Sequence, residues 1–176
     1  MKKQVLFIHS AGVQGLHQGS NDLIGYLKEM LGDEYNLLIP KMPNPENPEY
    51  TLWKGQLNVV FAELEGEIIL IGHSLGGSVL LKYLSEKALK QSISGLFMIA
   101  SPFWGKDDDW QVEEYLLPDN FASNFSQKSE MFFYHSCDDE IVHLHTLDTT
   151  KKSFHRQLPE HLMVMNITSL MDCLNL

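Results

Sequence analysis

The chain has 176 residues, of which 44% are hydrophobic and 20% charged, a composition that suits one globular domain. With 13 Lys and Arg against 23 Asp and Glu, the net charge of -10 disfavours nucleic acid and anionic membrane surfaces as partners. No apolar run approaches the roughly 18 residues that span a bilayer, and the first residues do not read as a signal peptide. Two cysteines, Cys137 and Cys173, have no metal-ligand spacing and form no disulfide framework. A soluble cytoplasmic protein without a metal is therefore predicted, and its oligomeric state is left open.

Apolar β-rich runs alternate with helical patterns along most of the chain. Strands are predicted over residues 5–8, 36–39, 67–71, 94–100 and 131–135, with helices from Asn21, from a cap at Thr51, and from Leu75 to about Leu89. This alternation indicates an α/β fold with helices on both faces of a parallel sheet. Residues 40–45, which contain three prolines, are predicted to form a surface connection.

An irregular aromatic stretch lies between the fourth and fifth predicted strands, over residues 101–129. One interpretation is an insertion that roofs a site, and the other is a solvated acidic loop followed by a packing helix. Its acidic run is Asp107, Asp108 and Asp109, and its aromatic side chains are Phe103, Trp104, Trp110, Tyr115, Phe121 and Phe125.

The motif Gly-His-Ser-Leu-Gly at residues 72–76 lies between a predicted strand and a predicted helix. This is the G-x-S-x-G pattern, whose glycines permit a turn sharp enough to expose the serine at the end of the strand. Ser74 is therefore the candidate nucleophile, and the backbone N–H of Leu75, at the start of the helix, is a candidate oxyanion donor. The alternative is that Ser74 only caps the helix.

Two other turns offer partners for this serine. After the first strand, the N–H of Ser10 or Ala11 is the candidate second oxyanion donor, unless this is an ordinary β-α turn. After the fifth strand, Asp138 or Asp139 is the candidate acid that orients a histidine, unless both are solvated surface residues.

Residues 39–45, 71–76 and 138–142 closely resemble the small α/β-hydrolases of the retinoblastoma-binding-protein-9 and YdeN type. The resemblance implies a three-layer α/β-hydrolase-like sandwich whose mostly parallel sheet has five to six strands in an order that begins 2-1-3-4-5. It also implies a serine hydrolase with a Ser-Asp-His triad and no metal, and it leaves the substrate undefined. By motif, Ser74 takes the position of the nucleophile and Asp139 that of the acid. The predicted oxyanion donors are the N–H groups of Leu75 and Ala11.

After Val142 the sequence no longer shows the elements that the resemblance implies. The chain is therefore divided into a hydrolase domain, residues 1–142, and an atypical tail, residues 143–176. The tail should carry a helix, a sixth strand, a histidine turn and a last helix, yet it has no glycine and only residues 162–165 look like a strand. The last strand and helix are therefore expected to be absent. His143 and His145 follow Asp139 too closely to be the base. His155 and His161 precede the strand-like run, and they stay as weak candidates for a catalytic histidine that is not identified.

Two explanations of the tail stay open, a frameshift after Val142 and a genuinely divergent sequence. Because methionine has one codon, joining the third base of each codon to the first two bases of the next across Met163 to Asn166 permits Gly-His-Glu, part of a histidine turn. The predicted function is a serine hydrolase that cleaves a small ester, thioester or amide through an acyl-enzyme on Ser74, with its activity in question for want of a histidine. Acyl transfer to another acceptor is not separable from hydrolysis. The alternative is a non-catalytic binding module on a degenerate hydrolase scaffold.

Overall fold

The computed structural model describes residues 2–105, 108–118, 121, 130–155 and 163–168. Single 3-10 turns occur at Gly32–Glu34 and Glu113–Tyr115. The regular elements, in chain order, are β1 (Lys3–Ile8), α1 (Asn21–Leu31), β2 (Tyr35–Leu38), α2 (Tyr50–Glu63), β3 (Glu67–His73), α3 (Leu75–Glu86), β4 (Ser92–Ile99), β5 (Glu130–Ser136), α4 (His145–His155) and β6 (Met163–Thr168).

The six described strands form one parallel sheet in the order β2-β1-β3-β4-β5-β6. This confirms the order 2-1-3-4-5 that the resemblance implied. From β1 the sheet grows in one direction through β2 and in the other through β3, so a crevice opens between the loops that follow β1 and β3. Ligands of open α/β sheets bind at such a crevice, outside the carboxyl ends of the strands.

Alternating side chains of β1 show why the sheet is covered on both faces. Val5 and Phe7 pack with Ile24 of α1, whereas Leu6 and Ile8 point to the opposite face and share a core with α2 and α3. That larger core contains the fully buried Trp53 of α2. The result is the predicted three-layer α/β-hydrolase-like sandwich.

The expectation that the last strand is absent is wrong, because β6 pairs with β5 from Met131↔Met163 to Ser136↔Thr168. The helix α4 comes before it, so the described part of the tail continues the α/β alternation. A ladder is made by main-chain groups that every residue except proline carries, which is why an indistinct side-chain pattern did not prevent pairing. Residues 169–176, where a last helix was considered, lie outside the described residues.

Two helix boundaries also differ from those predicted. Helix α2 begins at Tyr50, with Glu49 at the N-cap position, because the Glu49 carbonyl already accepts the N–H of Trp53 at 3.1 Å. Thr51 is thus inside the first turn. Helix α3 ends at Glu86, three residues before the predicted end. None of the helices within the described residues is long and apolar enough to cross a membrane.

Candidate active site

Ser74 lies in a strained turn between β3 and α3. Its backbone has φ 51° and ψ -124°, a left-handed conformation that costs a non-glycine residue about 1–3 kcal/mol. The turn is held by two hydrogen bonds, from Ser74 N–H to the Ile99 carbonyl at 2.8 Å and from Gly77 N–H to the Ser74 carbonyl at 3.0 Å. The side chain makes no capping hydrogen bond with α3, so the helix-cap alternative finds no support.

The glycines around Ser74 are required by close backbone packing. A Cβ atom on Gly76 would lie 2.2 Å from the carbonyl oxygen of Ile8 and 2.6 Å from that of His9, both in the β1 segment. A Cβ atom on Gly72 would lie 2.3 Å from the Cα of Gly77. Real Cβ atoms do not approach backbone so closely, so the turn packs directly against β1 and against itself. This geometry is that of a nucleophile elbow.

The two candidate oxyanion donors in the segment after β1, the N–H groups of Ser10 and Ala11, differ in whether another group already accepts them. Ser10 N–H donates to the Ser20 hydroxyl at 2.8 Å, and Gly12 N–H donates to the Pro45 carbonyl at 2.7 Å. Among the described residues, none provides an acceptor for the N–H of Ala11. The geometry therefore favours Ala11 over Ser10 as the second donor beside Leu75, the first residue of α3.

The proline-containing connection of residues 40–45 packs against this same segment. His9 Nε2 accepts the N–H of Met42 at 3.3 Å, while His9 Nδ1 donates to the Ser10 carbonyl at 2.7 Å. Burial lowers the pKa of His9, although the hydrogen bond to Ser10 opposes the shift, so the ring is neutral at pH 7. Trp53 Nε1 donates to the Pro43 carbonyl at 2.8 Å. The connection lies at the surface as predicted, but buried Met42 anchors it.

Asp139 and Asp138 occupy different environments in the turn after β5. Asp139 Oδ1 accepts the N–H groups of Ile141 and Val142, each at 2.9 Å, and its Oδ2 lies 3.9 Å from His135 Nε2. Its side chain is 17% exposed and lines the cavity that also contains Ser74. Asp138 is exposed and accepts a hydrogen bond from the Ser136 hydroxyl. The structure therefore favours Asp139 as the residue available to the site.

A cavity of about 620 Å³ joins Ser74 to Asp139. Part of its wall comes from the aromatic stretch between β4 and β5, as the roof interpretation expected, while Asp108 and Asp109 of the acidic run are exposed. Trp104 contacts both neighbouring rings, with centroid distances of 5.1 Å to Trp110 and 4.7 Å to Tyr115. From this stretch, the lining side chains are Pro102, Trp104, Trp110 and Tyr115.

Three polar residues near the site were not singled out from the sequence, namely His73, Ser20 and Gln14. His73 lines the cavity, and burial lowers its pKa despite the nearby Asp139 carboxylate. Ser20 directly precedes α1, where a serine normally signals a helix cap, yet it makes no capping bond and instead contacts His73 Nδ1 at 2.8 Å. No sequence signal distinguishes these uses from ordinary turn and cap residues.

The catalytic histidine is not located. Among the described residues, no histidine nitrogen forms a hydrogen bond with the Ser74 hydroxyl. His143 and His145 are exposed and stack on each other at 5.8 Å. The side chain of His155 and the whole of His161 lie outside the described residues. In the same part of the chain, no three His, Cys, Asp or Glu side chains cluster as metal ligands.

A nucleophile elbow on a parallel, helix-covered sheet defines the α/β-hydrolase class. The family model described as serine hydrolase matches residues 27–161, and the chain belongs to that family. YdeN of Bacillus subtilis (strain 168), which carries a provisional hydrolase name, is 29% identical over 101 residues, 57% of this chain and 51% of YdeN. The matched part thus spans about half the length of this relative.

Solved structures support the same fold. The B. subtilis YdeN crystal structure superposes with a TM-score of 0.73 at 19% identity, covering 96% of this chain and 86% of YdeN. The esterase domain of a Rhodothermus marinus protein gives a TM-score of 0.63 at 15% identity, covering 96% and 76%. The 2-hydroxy-6-oxo-6-phenylhexa-2,4-dienoate hydrolase of Rhodococcus sp. strain RHA1 gives 0.68 at 13% identity, covering 99% and 88%.

Proposed function

We propose that this serine hydrolase cleaves a small ester, thioester or amide through an acyl-enzyme on Ser74. The observation that carries the proposal is the strained turn that exposes Ser74 to the cavity at the carboxyl end of β3. Ser74 Oγ attacks the substrate carbonyl carbon, and a histidine base takes its proton and returns it to the departing alcohol, thiol or amine. Water then adds to the acyl carbon and releases the acid together with free Ser74.

The negative charge that develops on the carbonyl oxygen needs two donors. The proposed donors are the N–H groups of Leu75 and Ala11, one at a helix N-terminus and one in the segment after β1. Asp139 is the proposed acid that orients the base. The histidine base is not identified, and His155 and His161 are the weak candidates that the sequence offers. No metal or cofactor takes part in this mechanism.

The cavity favours an uncharged acyl group. Its described lining includes no Lys or Arg, and its wall is formed largely by aromatic and aliphatic side chains. Asp139 is the one carboxylate among the described lining residues, and the whole chain carries a charge of -10. An anionic acyl group would be repelled and left without a cation in this site. We also propose a cytoplasmic location, where exposed Cys137 stays reduced.

Labelling with a fluorophosphonate tests the nucleophile, because this reagent reacts with activated serines and spares ordinary ones. We expect a single adduct on Ser74, detected by intact mass and peptide mapping, and none on the Ser74→Ala variant. The variant should fold normally, because the hydroxyl caps no helix and lies at a cavity surface. An adduct of equal yield on Ser74→Ala would show that another residue reacts.

A non-catalytic binding module is the second candidate function. The observation that favours it is that, among the described residues, no histidine bonds to Ser74. In that case the aromatic cavity would bind a ligand without turnover. The same labelling experiment separates the two functions, since a folded chain that binds a small ester but gives neither adduct nor hydrolysis is a binding module.

A further inference from the structure

The Ser20 hydroxyl is buried, with the residue only 1% exposed, at the junction of three segments. It accepts the N–H of Ser10 at 2.8 Å and lies 2.8 Å from His73 Nδ1 and 3.2 Å from Ser10 Oγ. Because burial holds His73 neutral, Nδ1 can accept the Ser20 proton. One hydroxyl thus connects the segment after β1 to the residue that precedes the nucleophile.

The Gln14 side chain holds the same segment from the other side. Its Nε2 donates to the carbonyls of Ser10 and Gly12, each at 3.1 Å, and its Oε1 accepts the N–H of Ser20 at 2.9 Å. Gly19 leaves the space for this carboxamide, since a Cβ atom there would lie 2.4 Å from Gln14 Nε2. The residues on both sides of Ala11 are therefore tied to one carboxamide.

These bonds leave the peptide N–H of Ala11 as the group that is held in place without being used. Ser10 N–H is occupied by Ser20, and Gly12 N–H by Pro45. Donors that are fixed before the reaction stabilise an oxyanion most, because nothing has to reorganise when the charge develops. We propose that Ser20 and Gln14 are positioning residues that hold the Ala11 N–H as an oxyanion donor. The inference rests on the function proposed above.

If Gln14 only stabilised the fold, its substitution would lower stability without a specific loss of kcat. Gln91 is a matched control for that case. Gln91 Nε2 also donates to two backbone carbonyls, those of Phe61 at 2.7 Å and Leu64 at 2.6 Å. It lies just before β4, at the end of the sheet opposite the cavity. Gln91→Glu should therefore lower stability as Gln14→Glu does, without displacing the segment after β1 that contains Ala11.

The experiment compares wild type, Ser20→Ala, Gln14→Glu and Gln91→Glu by steady-state hydrolysis of p-nitrophenyl butyrate and by thermal unfolding. For Ser20→Ala and Gln14→Glu we expect kcat to fall about 10²-fold with KM changed by less than about threefold, since a small displacement of the donor acts on the transition state. Gln91→Glu should keep wild-type kcat. The ratio of kcat in Gln14→Glu to that in wild type should rise as pH falls, because a protonated Glu regains one donor for the carbonyls.

Amide hydrogen exchange supplies a readout that needs no turnover. The Gly12 amide, which neither substitution touches directly, should exchange faster in Ser20→Ala and Gln14→Glu than in Gln91→Glu. Unchanged exchange at Gly12 in both variants, or wild-type kcat in both when wild type is active, overturns the positioning role. Absence of a phosphonate adduct on folded wild type overturns the hydrolase function instead, and exchange then decides the positioning role alone.

Discussion

The nucleophile turn and the acid turn of the site are held in place by different kinds of contact. Residues 72–77 pack backbone against backbone on β1 and bond to Ile99 of β4, contacts that join distant parts of the chain. Asp139, in contrast, is held by the N–H groups of Ile141 and Val142 in its own turn. The first turn depends on the assembled sheet, whereas the second is fixed mainly by neighbouring residues. Side chains added at the glycines of the nucleophile turn should thus affect folding, and changes at the acid turn should affect function alone.

Gly76→Val should have the largest effect, because it removes the contact that defines the nucleophile turn. Its Cβ would occupy a position 2.2 Å from the Ile8 carbonyl oxygen, a backbone atom that cannot turn away. We expect loss of soluble folded protein, measured by expression yield and circular dichroism. Gly55→Val in α2 is the matched control, since a Cβ atom added there would meet nothing within 4 Å apart from its chain neighbours and its own helix backbone, and the chain should still fold. Normal folding of Gly76→Val would contradict the close packing.

Adding one base after the Val142 codon tests whether a frameshift removed the catalytic histidine that Asp139 would orient. The shifted reading permits a Gly-His turn, and completing a triad can raise kcat by about 10⁶ over a serine without its base. Ester hydrolysis and melting temperature are measured for both chains. Equal turnover and stability would establish the present residues 143–176 as the native tail.

Asp139→Asn separates the catalytic role of the acid turn from its structural role, because asparagine keeps the Oδ1 acceptor for Ile141 and Val142 while removing the charge. In a chain with a functional base, loss of the orienting carboxylate should lower kcat about 10⁴-fold. The melting temperature should change little. Asp138→Asn is the control and should retain nearly full turnover, since Asp138 is exposed. Equal, mild effects at both positions would remove Asp139 from the mechanism.

Lowering the pH should reduce the free energy of unfolding, because two largely buried histidines lie near the nucleophile turn. Burial lowers the pKa values of His9 and His73 below the usual 6.5, so the unfolded chain takes up protons that the folded chain excludes. The stability these neutral rings contribute is complete above pH 6.5 and is lost as the pH falls below it. We expect a lower midpoint of urea unfolding at about pH 5.5 than at about pH 7.5. His73→Asn, which can still accept from Ser20, should reduce this dependence; an unchanged dependence would exclude His73 as a contributor.

Ser74→Gly should give the smallest effect, an increase in the free energy of unfolding of about 1 kcal/mol. Glycine adopts φ 51° without the steric cost that serine bears, although the unfolded chain gains freedom. Ser74→Ala is the matched control because it removes the hydroxyl and keeps the Cβ atom. Urea unfolding of both variants measures the difference. If the two variants are equally stable, the turn stores no strain at this residue.

The sheet was predictable where strand and helix patterns were strong, and β6 was not. The runs that became β1, β3 and β4 carry apolar side chains on both faces, which is typical of interior parallel strands. In the tail only residues 162–165 look like a strand, and β6 depends on main-chain pairing with β5, a tertiary contact that a local window of sequence does not show. Helix α2 likewise began one residue before the predicted cap, because the backbone carbonyl of Glu49, and not the Thr51 side chain, starts it.

Ser74 could be predicted as a candidate because its motif imposes a geometry through glycine, a property of the residues themselves. The hydrogen bond that occupies the Ser10 N–H, and so supports Ala11 as the donor, could not be predicted, since its acceptor is Ser20, ten residues further along the chain. Ser20 and Gln14 are residue types that occur in any polar turn, so nothing in the sequence marks them. Their contacts arise only when β1 and β3 are adjacent, so sequence spacing carries no sign of them.

The aromatic wall of the cavity is attached to the helix behind the nucleophile at two points. Ser78 of α3 donates to the Pro102 carbonyl at 2.6 Å, and Lys82, one turn further, donates to the Leu116 carbonyl at 2.6 Å. Between these anchors, Trp104 and Trp110 face the cavity without forming part of the sheet. Substitutions of the cavity-facing side chains between these anchors should therefore alter which acyl groups fit while the nucleophile elbow stays unchanged.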